Sequence, residues 1–213
     1  MIGGLSWVST AEYYKRINEM TQEARGGVHS AELILQSVDR QHYVDAVIER
    51  QDEDAACEII LHAAKAVERG GAEFIVISCN DVHRFVPRVA PQISIPFLHI
   101  ADATGCAVQA AGLTTVALLG VRKTMEDPFY PDVLKNHGIT TIIPDEGEKT
   151  YIHDKIYDEL VRDVFTEETR TGYLSIMCDL TDRGAEGVIL GCTEIPLLIR
   201  PCDTDIATFS TTE

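Results

Sequence analysis

Short continuous apolar runs alternate along the chain with longer segments whose apolar residues recur at helical spacing. Two of the runs repeat one another. The first reads Arg69-Gly-Gly-Ala-Glu-Phe-Ile-Val-Ile-Ser-Cys79-Asn80-Asp81, the second Arg183-Gly-Ala-Glu-Gly-Val-Ile-Leu-Gly-Cys192-Thr193-Glu194. In each, Gly-Ala-Glu leads through five mostly apolar residues to a cysteine followed by a polar residue, so Glu73 stands to Cys79 as Glu186 stands to Cys192. A continuous apolar run bounded by turn residues reads as a strand buried on both faces. Each cysteine then lies at the carboxyl end of its strand, where open α/β sheets place their ligands.

The remaining pattern predicts strands over residues 30–38, 97–100, 114–120 and 138–144. Helices are predicted over 11–24, capped by Thr10, and over 53–69, 101–111, 129–136, 151–164 and 166–183, with a shorter one starting near 83. Residues 39–49 read as a polar loop and short helix. The repeat extends beyond the cysteine strands. Gly3-Gly4 with Ser6, Ser9 and Thr10, and Gly120 with Thr124, form matching strand-to-helix turns at the start of each half. Alternating strands and helices predict an α/β fold of two pseudo-symmetric lobes. Each lobe has a parallel sheet flanked by helices, with the active site expected in the cleft between them. The N-terminal lobe is expected to cover 1–95 plus about 206–213, and the C-terminal lobe 96–205.

Composition narrows the function. A length of 213 residues, 45% hydrophobic and 24% charged, suits one large α/β domain or two small ones. A net charge of −16 excludes a phosphate-backbone partner, and no apolar run approaches a membrane span, so neither nucleic acid nor membrane is expected as a partner. A small anionic substrate stays open, because a local pocket can oppose the global field. None of the six cysteines forms a C-x-x-C pair, which removes zinc-ribbon and thioredoxin readings, and no metal site is expected. The Gly-Gly turn lacks G-x-G-x-x-G, so no dinucleotide cofactor is expected. The chain opens Met-Ile-Gly-Gly without a basic segment, so reduced thiols in the cytoplasm are expected.

Two equivalent halves, each offering one thiol, suit inversion at a carbon: one group takes a proton from one face and the other returns one to the opposite face. Cys79 and Cys192 are the candidate catalytic pair, one as thiolate and one as thiol. Negative charge builds on the adjacent carboxylate as the proton leaves, so donors must receive it. Asn80 and Thr193, directly after the cysteines, are candidates, with Gly4, Ser6 and Thr10 in the first turn and Thr124 in the second. His83 reads as a surface residue or a support behind the site, and Glu194 either orients Cys192 or caps the next turn.

These residues resemble the aspartate/glutamate racemases that work without pyridoxal phosphate. The matching motifs are Ile2-Gly-Gly-Leu-Ser-Trp-Val-Ser-Thr10 with Tyr13-Tyr14 and Ile17-Asn18, Cys79-Asn80 with His83, Pro96-Phe-Leu-His-Ile-Ala-Asp-Ala-Thr-Gly105, Ala117-Leu-Leu-Gly120 with Thr124-Met-Glu126, and Gly191-Cys-Thr-Glu-Ile195. The resemblance covers essentially the whole chain. It implies racemisation of an amino acid, aspartate or glutamate first, with no cofactor. Cys79 and Cys192 would be the acid–base residues, Asn80, Thr193 and the Gly4 loop the carboxylate cradle, and the assembly a homodimer. Related decarboxylation or cis–trans isomerisation of a dicarboxylate, and non-catalytic carboxylate binding, are the alternatives. Two departures stand out. The family reads Cys-Asn-Thr where this chain has Asp81, a substrate-site residue that either points inward and repels a carboxylate or caps the next helix. The family's first strand also starts earlier and a helix follows residues 210–213, so both ends are expected to be shortened. For a distal carboxylate the candidate cations are Arg40, Lys149 and Lys155, with Tyr151 at the family's cationic position.

Overall fold

Parallel hydrogen bonding organises the computed structural model, which describes residues 1–212. The elements run β1 (Ile2–Gly3), α1 (Trp7–Arg25), β2 (Gln36–Ser37), α2 (Arg40–Val44), α3 (Glu53–Arg69), α4 (Val86–Val89), α5 (Ile100–Ala110), β3 (Thr115–Leu119), α6 (Arg122–Glu126), α7 (Phe129–Asn136), β4 (Thr140–Ile142), α8 (Glu146–Asp158), α9 (Glu167–Asp182), β5 (Gly187–Leu190), α10 (Ile195–Leu198) and β6 (Ala207–Ser210). The chain divides into two compact units, Met1–His99 with Thr212 and Ile100–Thr211.

In the first unit β1 pairs in parallel with β2, Ile2 opposite Gln36 and Gly3 opposite Ser37. The predicted strand over 30–38 is regular only at its end, because the pairing begins at Met1, whose amino group donates to Ile34 O at 2.6 Å. On its other side, Ile2 N donates to Val76 O at 2.8 Å and Ser78 N to Ile2 O at 3.0 Å. The first cysteine strand is therefore held by bridges, Ile77 to Ile2 and Ile75 to Phe97, rather than by a continuous ladder. Its neighbours run 36–37, 2–3, 75–78, 96–98. In the second unit the order is β4-β3-β5-β6, all parallel. The two orders match segment for segment. Of the stretch from about 206 to 213 that was expected to return to the first lobe, residues through Thr211 belong to the second unit and Thr212 groups with the first: β6 is hydrogen-bonded along β5, the place that residues 96–98 take beside the first cysteine strand.

Side-chain alternation shows why the central strands form. From β3, Ala117 and Leu119 face one core while Val116 and Leu118 face another. From β5, Val188 and Leu190 join the first and Ile189 the second. Helices cover both faces, so every residue of these strands can be apolar. Each fully buried Leu or Ile contributes about 1.5–3 kcal/mol. The first unit has its own core, in which Ile2, Ile75 and Ile77 meet Ile60, Ala64 and Val67 of α3.

Three helix boundaries depart from the periodicity. Helix α1 begins at Trp7, not 11, so Thr10 lies inside its first turn instead of capping it. Helix α8 begins at Glu146, not 151, because Asp145 accepts from Glu148 N while Glu148 accepts from Asp145 N. It ends at Asp158, well before the expected 164. No helix among the described residues is long and apolar enough to cross a membrane.

Candidate active site

In the first unit, the turn after β1 is tied to the residue preceding Cys79. Gly4 has φ +82°, and an added Cβ would lie 2.2 Å from Val38 O, so only glycine fits. Gly4 N donates to Thr10 Oγ1 at 2.9 Å, and the Thr10 hydroxyl donates to Ser6 O at 2.7 Å. Thr10 Oγ1 also meets Ser78 Oγ at 3.1 Å. Ser6 is the N-cap of α1 but caps nothing, and its buried hydroxyl has no hydrogen-bond partner among the described residues. A buried donor of that kind, beside the backbone N–H groups of a helix start, can receive an anionic group.

Cys79 is half-buried, and the three functional residues after it are buried: Asn80, Asp81 and His83. Asn80 O accepts from His83 N at 3.1 Å, and its side chain makes no capping bond. Asp81 does not cap the next helix, and its carboxylate is engaged by two neighbours. One carboxylate oxygen accepts from Tyr43 Oη at 2.7 Å and the other forms an ion pair with Arg84. Arg84 also donates to Asp81 O at 3.0 Å, pairs with Glu53 at 3.2 Å and stacks on Phe85 at 4.3 Å. Burial and the neighbouring Asp81 carboxylate hold the Tyr43 phenol well above its usual range. Burial alone would weaken the Arg84 charge, but Asp81, Tyr43 and Glu53 outweigh it and keep the guanidinium charged. Tyr43, Arg84 and Glu53 were not singled out in the sequence. Arg84 at i+3 from Asp81 carried a readable signal; Tyr43, 38 residues away, carried none.

His83 is not a surface residue. It is 1% exposed, its Nδ1 lies 2.8 Å from Cys79 O, and its ring meets His99 edge-on at 4.8 Å. Burial, with His99 adding, lowers its pKa to about 3. The imidazole is thus neutral in the fold, while the unfolded chain protonates near 6.5. Between those values the unfolded state binds the extra proton. His83 therefore costs no stability above about pH 6.5, and stability falls as pH drops through the window. Replacing His83 with Asn should flatten the pH dependence of urea unfolding, removing about 2 kcal/mol of the loss between pH 7.5 and 5. Equal slopes in the two proteins would contradict this.

In the second unit, Thr124 follows the turn after β3. It is fully buried against Gly120, and its hydroxyl has no hydrogen-bond partner among the described residues, as with Ser6. Cys192 is half-buried after β5. Its Sγ donates to Glu194 Oε2 at 3.0 Å, and the Thr193 hydroxyl donates to the same oxygen at 3.2 Å. Glu194 is 2% exposed and makes no side-chain cap bond; its carboxylate meets Cys192 instead. Buried Tyr173 packs nearby and donates to Ile152 O. Burial first, then Cys192, raises the pKa of its phenol.

Two of the three expected cations, the lysines, are engaged by neighbouring carboxylates. Lys149 pairs with Glu126 and Glu146, and Lys155 with Glu159. Tyr151 packs its hydroxyl over Gly172, where an added Cβ would lie 2.2 Å away. Among the described residues no group of three or more His, Cys, Asp or Glu is placed to hold a metal ion.

Known proteins resemble this chain over nearly its whole length. The chain is 37% identical to a provisionally assigned Asp/Glu racemase of known structure from Yersinia pestis, with a TM-score of 0.89, over 99% of this chain and 92% of that one. It is 30% identical to the structure of an aspartate racemase homologue from Pyrococcus horikoshii, with a TM-score of 0.82 and the same coverage. It is also 21% identical to the broad specificity amino-acid racemase RacX of Bacillus subtilis, over 97% of this chain and 89% of that protein. A family model described as Asp/Glu/Hydantoin racemase matches residues 2–212, and the chain belongs to that family.

Proposed function

We propose that this protein racemises an α-amino acid without pyridoxal phosphate, with Cys79 and Cys192 as its two acid–base groups. The reaction needs one such group for each face of the α-carbon, and each unit offers one half-buried thiol at the end of a matching strand. The observation that carries the reading is the Cys192–Glu194 contact at 3.0 Å: a thiol held against a buried carboxylate is arranged for proton transfer rather than for packing. One thiolate takes the α-proton while the other thiol delivers a proton to the opposite face. The charge that develops on the substrate carboxylate is received by the N-terminus of α1, by Ser6 and Asn80 from the first unit, and by Thr124 and Thr193 from the second. The family resemblance adds a cytoplasmic homodimer to this proposal.

The test is turnover of single enantiomers in deuterium oxide without added cofactor, starting with aspartate, glutamate and a panel of neutral and basic amino acids. Racemisation with deuterium at the α-carbon is expected. A stable monocarboxylate formed from a dicarboxylate with release of carbon dioxide, with only one cysteine essential, would replace racemisation by decarboxylation. Ligand-induced thermal stabilisation with no exchange at any substrate would leave only binding.

A further inference from the structure

The two cysteine signatures are in register, Cys79-Asn80-Asp81 against Cys192-Thr193-Glu194, so each thiol is followed at the second position by an acid. The two acids have different jobs. Glu194 accepts a hydrogen bond from the Cys192 thiol. Asp81 is held by Tyr43 on one oxygen and by Arg84 on the other. We infer that the resting enzyme carries its transferable proton on Cys192, and that Arg84 and Tyr43 are positioning residues that keep Asp81 from holding a proton on Cys79 in the same way.

The inference rests on the two-thiol reading and extends it by assigning the starting state. A carboxylate beside a sulfur favours the protonated thiol twice over: it accepts the S–H bond, and its charge opposes a second negative charge at 3.0 Å. Glu194 is buried, so water does little to weaken either effect. At Asp81 the Arg84 guanidinium cancels the charge locally, and both oxygens already have partners. Cys79 then starts as the base. It takes the α-proton, the Cys192 S–H bond breaks to supply the other face, and the enzyme is left with its proton on Cys79 and a thiolate beside Glu194. That product form is the less favourable of the two, so it returns its proton readily in the reverse direction.

Infrared difference spectra test the assignment directly. Wild type minus Cys192→Ala should show an S–H stretching band shifted by hydrogen bonding, and wild type minus Cys79→Ala should show none. The reverse pattern, or equal bands in both, would overturn the inference. A second measurement reads the carboxylates. At neutral pH, Glu194→Gln should raise iodoacetamide labelling of Cys192 about tenfold and leave Cys79 unchanged, whereas Asp81→Asn should leave Cys79 labelling unchanged. Cys57, 3% exposed, reports whether the first unit stays folded during the Asp81→Asn measurement. An unchanged Cys192 rate in Glu194→Gln, or a Cys79 rate raised by Asp81→Asn while Cys57 stays protected, would sink it. Neither measurement depends on turnover, so a failure of the racemase reading appears separately, in the exchange assay.

Discussion

Cys79→Ala and Cys192→Ala are each expected to lower racemisation about a thousandfold, within the range that a positioned acid or base contributes. The two variants should not fail alike. Racemisation has an equilibrium constant of one by symmetry, so kcat/KM must be the same from either enantiomer in every variant, however damaged. The difference between the thiols therefore shows elsewhere. With only one sulfur left, a proton can still leave one face of the α-carbon and be replaced from the same side. Each variant should wash solvent deuterium slowly into one enantiomer without inverting it, and the two variants should label opposite enantiomers. β-Chloroalanine gives a second view: loss of the α-proton expels chloride irreversibly, so elimination needs one base only and is free of the symmetry constraint. Elimination should survive for one enantiomer in each variant. Exchange into the same enantiomer in both, or full racemisation in either, would end the two-thiol mechanism. Both thiols are half-buried, so a lost methylene-sized contact is a small part of the expected effect.

What the sequence made legible follows from the range of the interactions involved. The alternation within β3 and β5 is local, and so is the spacing from Gly-Ala-Glu to cysteine; these expose the repeat and the positions of both thiols. Glu186 shows why that spacing recurs in the second unit: its carboxylate accepts from Thr114 N and Thr115 N, anchoring the start of β3. The start of α8 was hidden because its buried Ile152 and Ile156 occupy its later part, whereas the capping pair that begins it is polar. Strand β6 was hidden because its partly exposed residues carry no strong period, and only pairing with β5 defines it. The largest gap was Asp81. Its neighbours in sequence allow a cap or a substrate contact, and its actual environment depends on Tyr43, brought close only by the tertiary fold. The two readings of His83 could not be separated for the same reason: its burial comes from packing near His99, not from the residues beside it in the chain.

The Asp81–Arg84 pair should dominate the stability of the first unit. The Arg84 side chain is 7% exposed and that of Asp81 11%, so removing one partner leaves a buried charge with little water to receive it. Arg84→Met is expected to cost about 3–5 kcal/mol, the range for breaking a buried ion pair. Tyr43 can still donate one hydrogen bond to Asp81, but it cannot supply the lost positive charge. The second partner of Arg84 is a weaker lever. Glu53 is 41% exposed, so Glu53→Gln should cost no more than about 1 kcal/mol. The decisive comparison is the double variant Asp81→Leu with Arg84→Met. Once neither charge is buried, most of the loss should be recovered, because a well-packed apolar replacement of a buried ion pair is often close to neutral. Urea unfolding of the single and double variants measures the coupling. A coupling near zero would mean that the two charges are solvated, and the argument that Arg84 holds Asp81 away from Cys79 would fall with it. A large coupling with intact Cys57 protection would tie the pair to the turn that begins at Cys79, where the same contact that stabilises the fold also sets which thiol starts as the base.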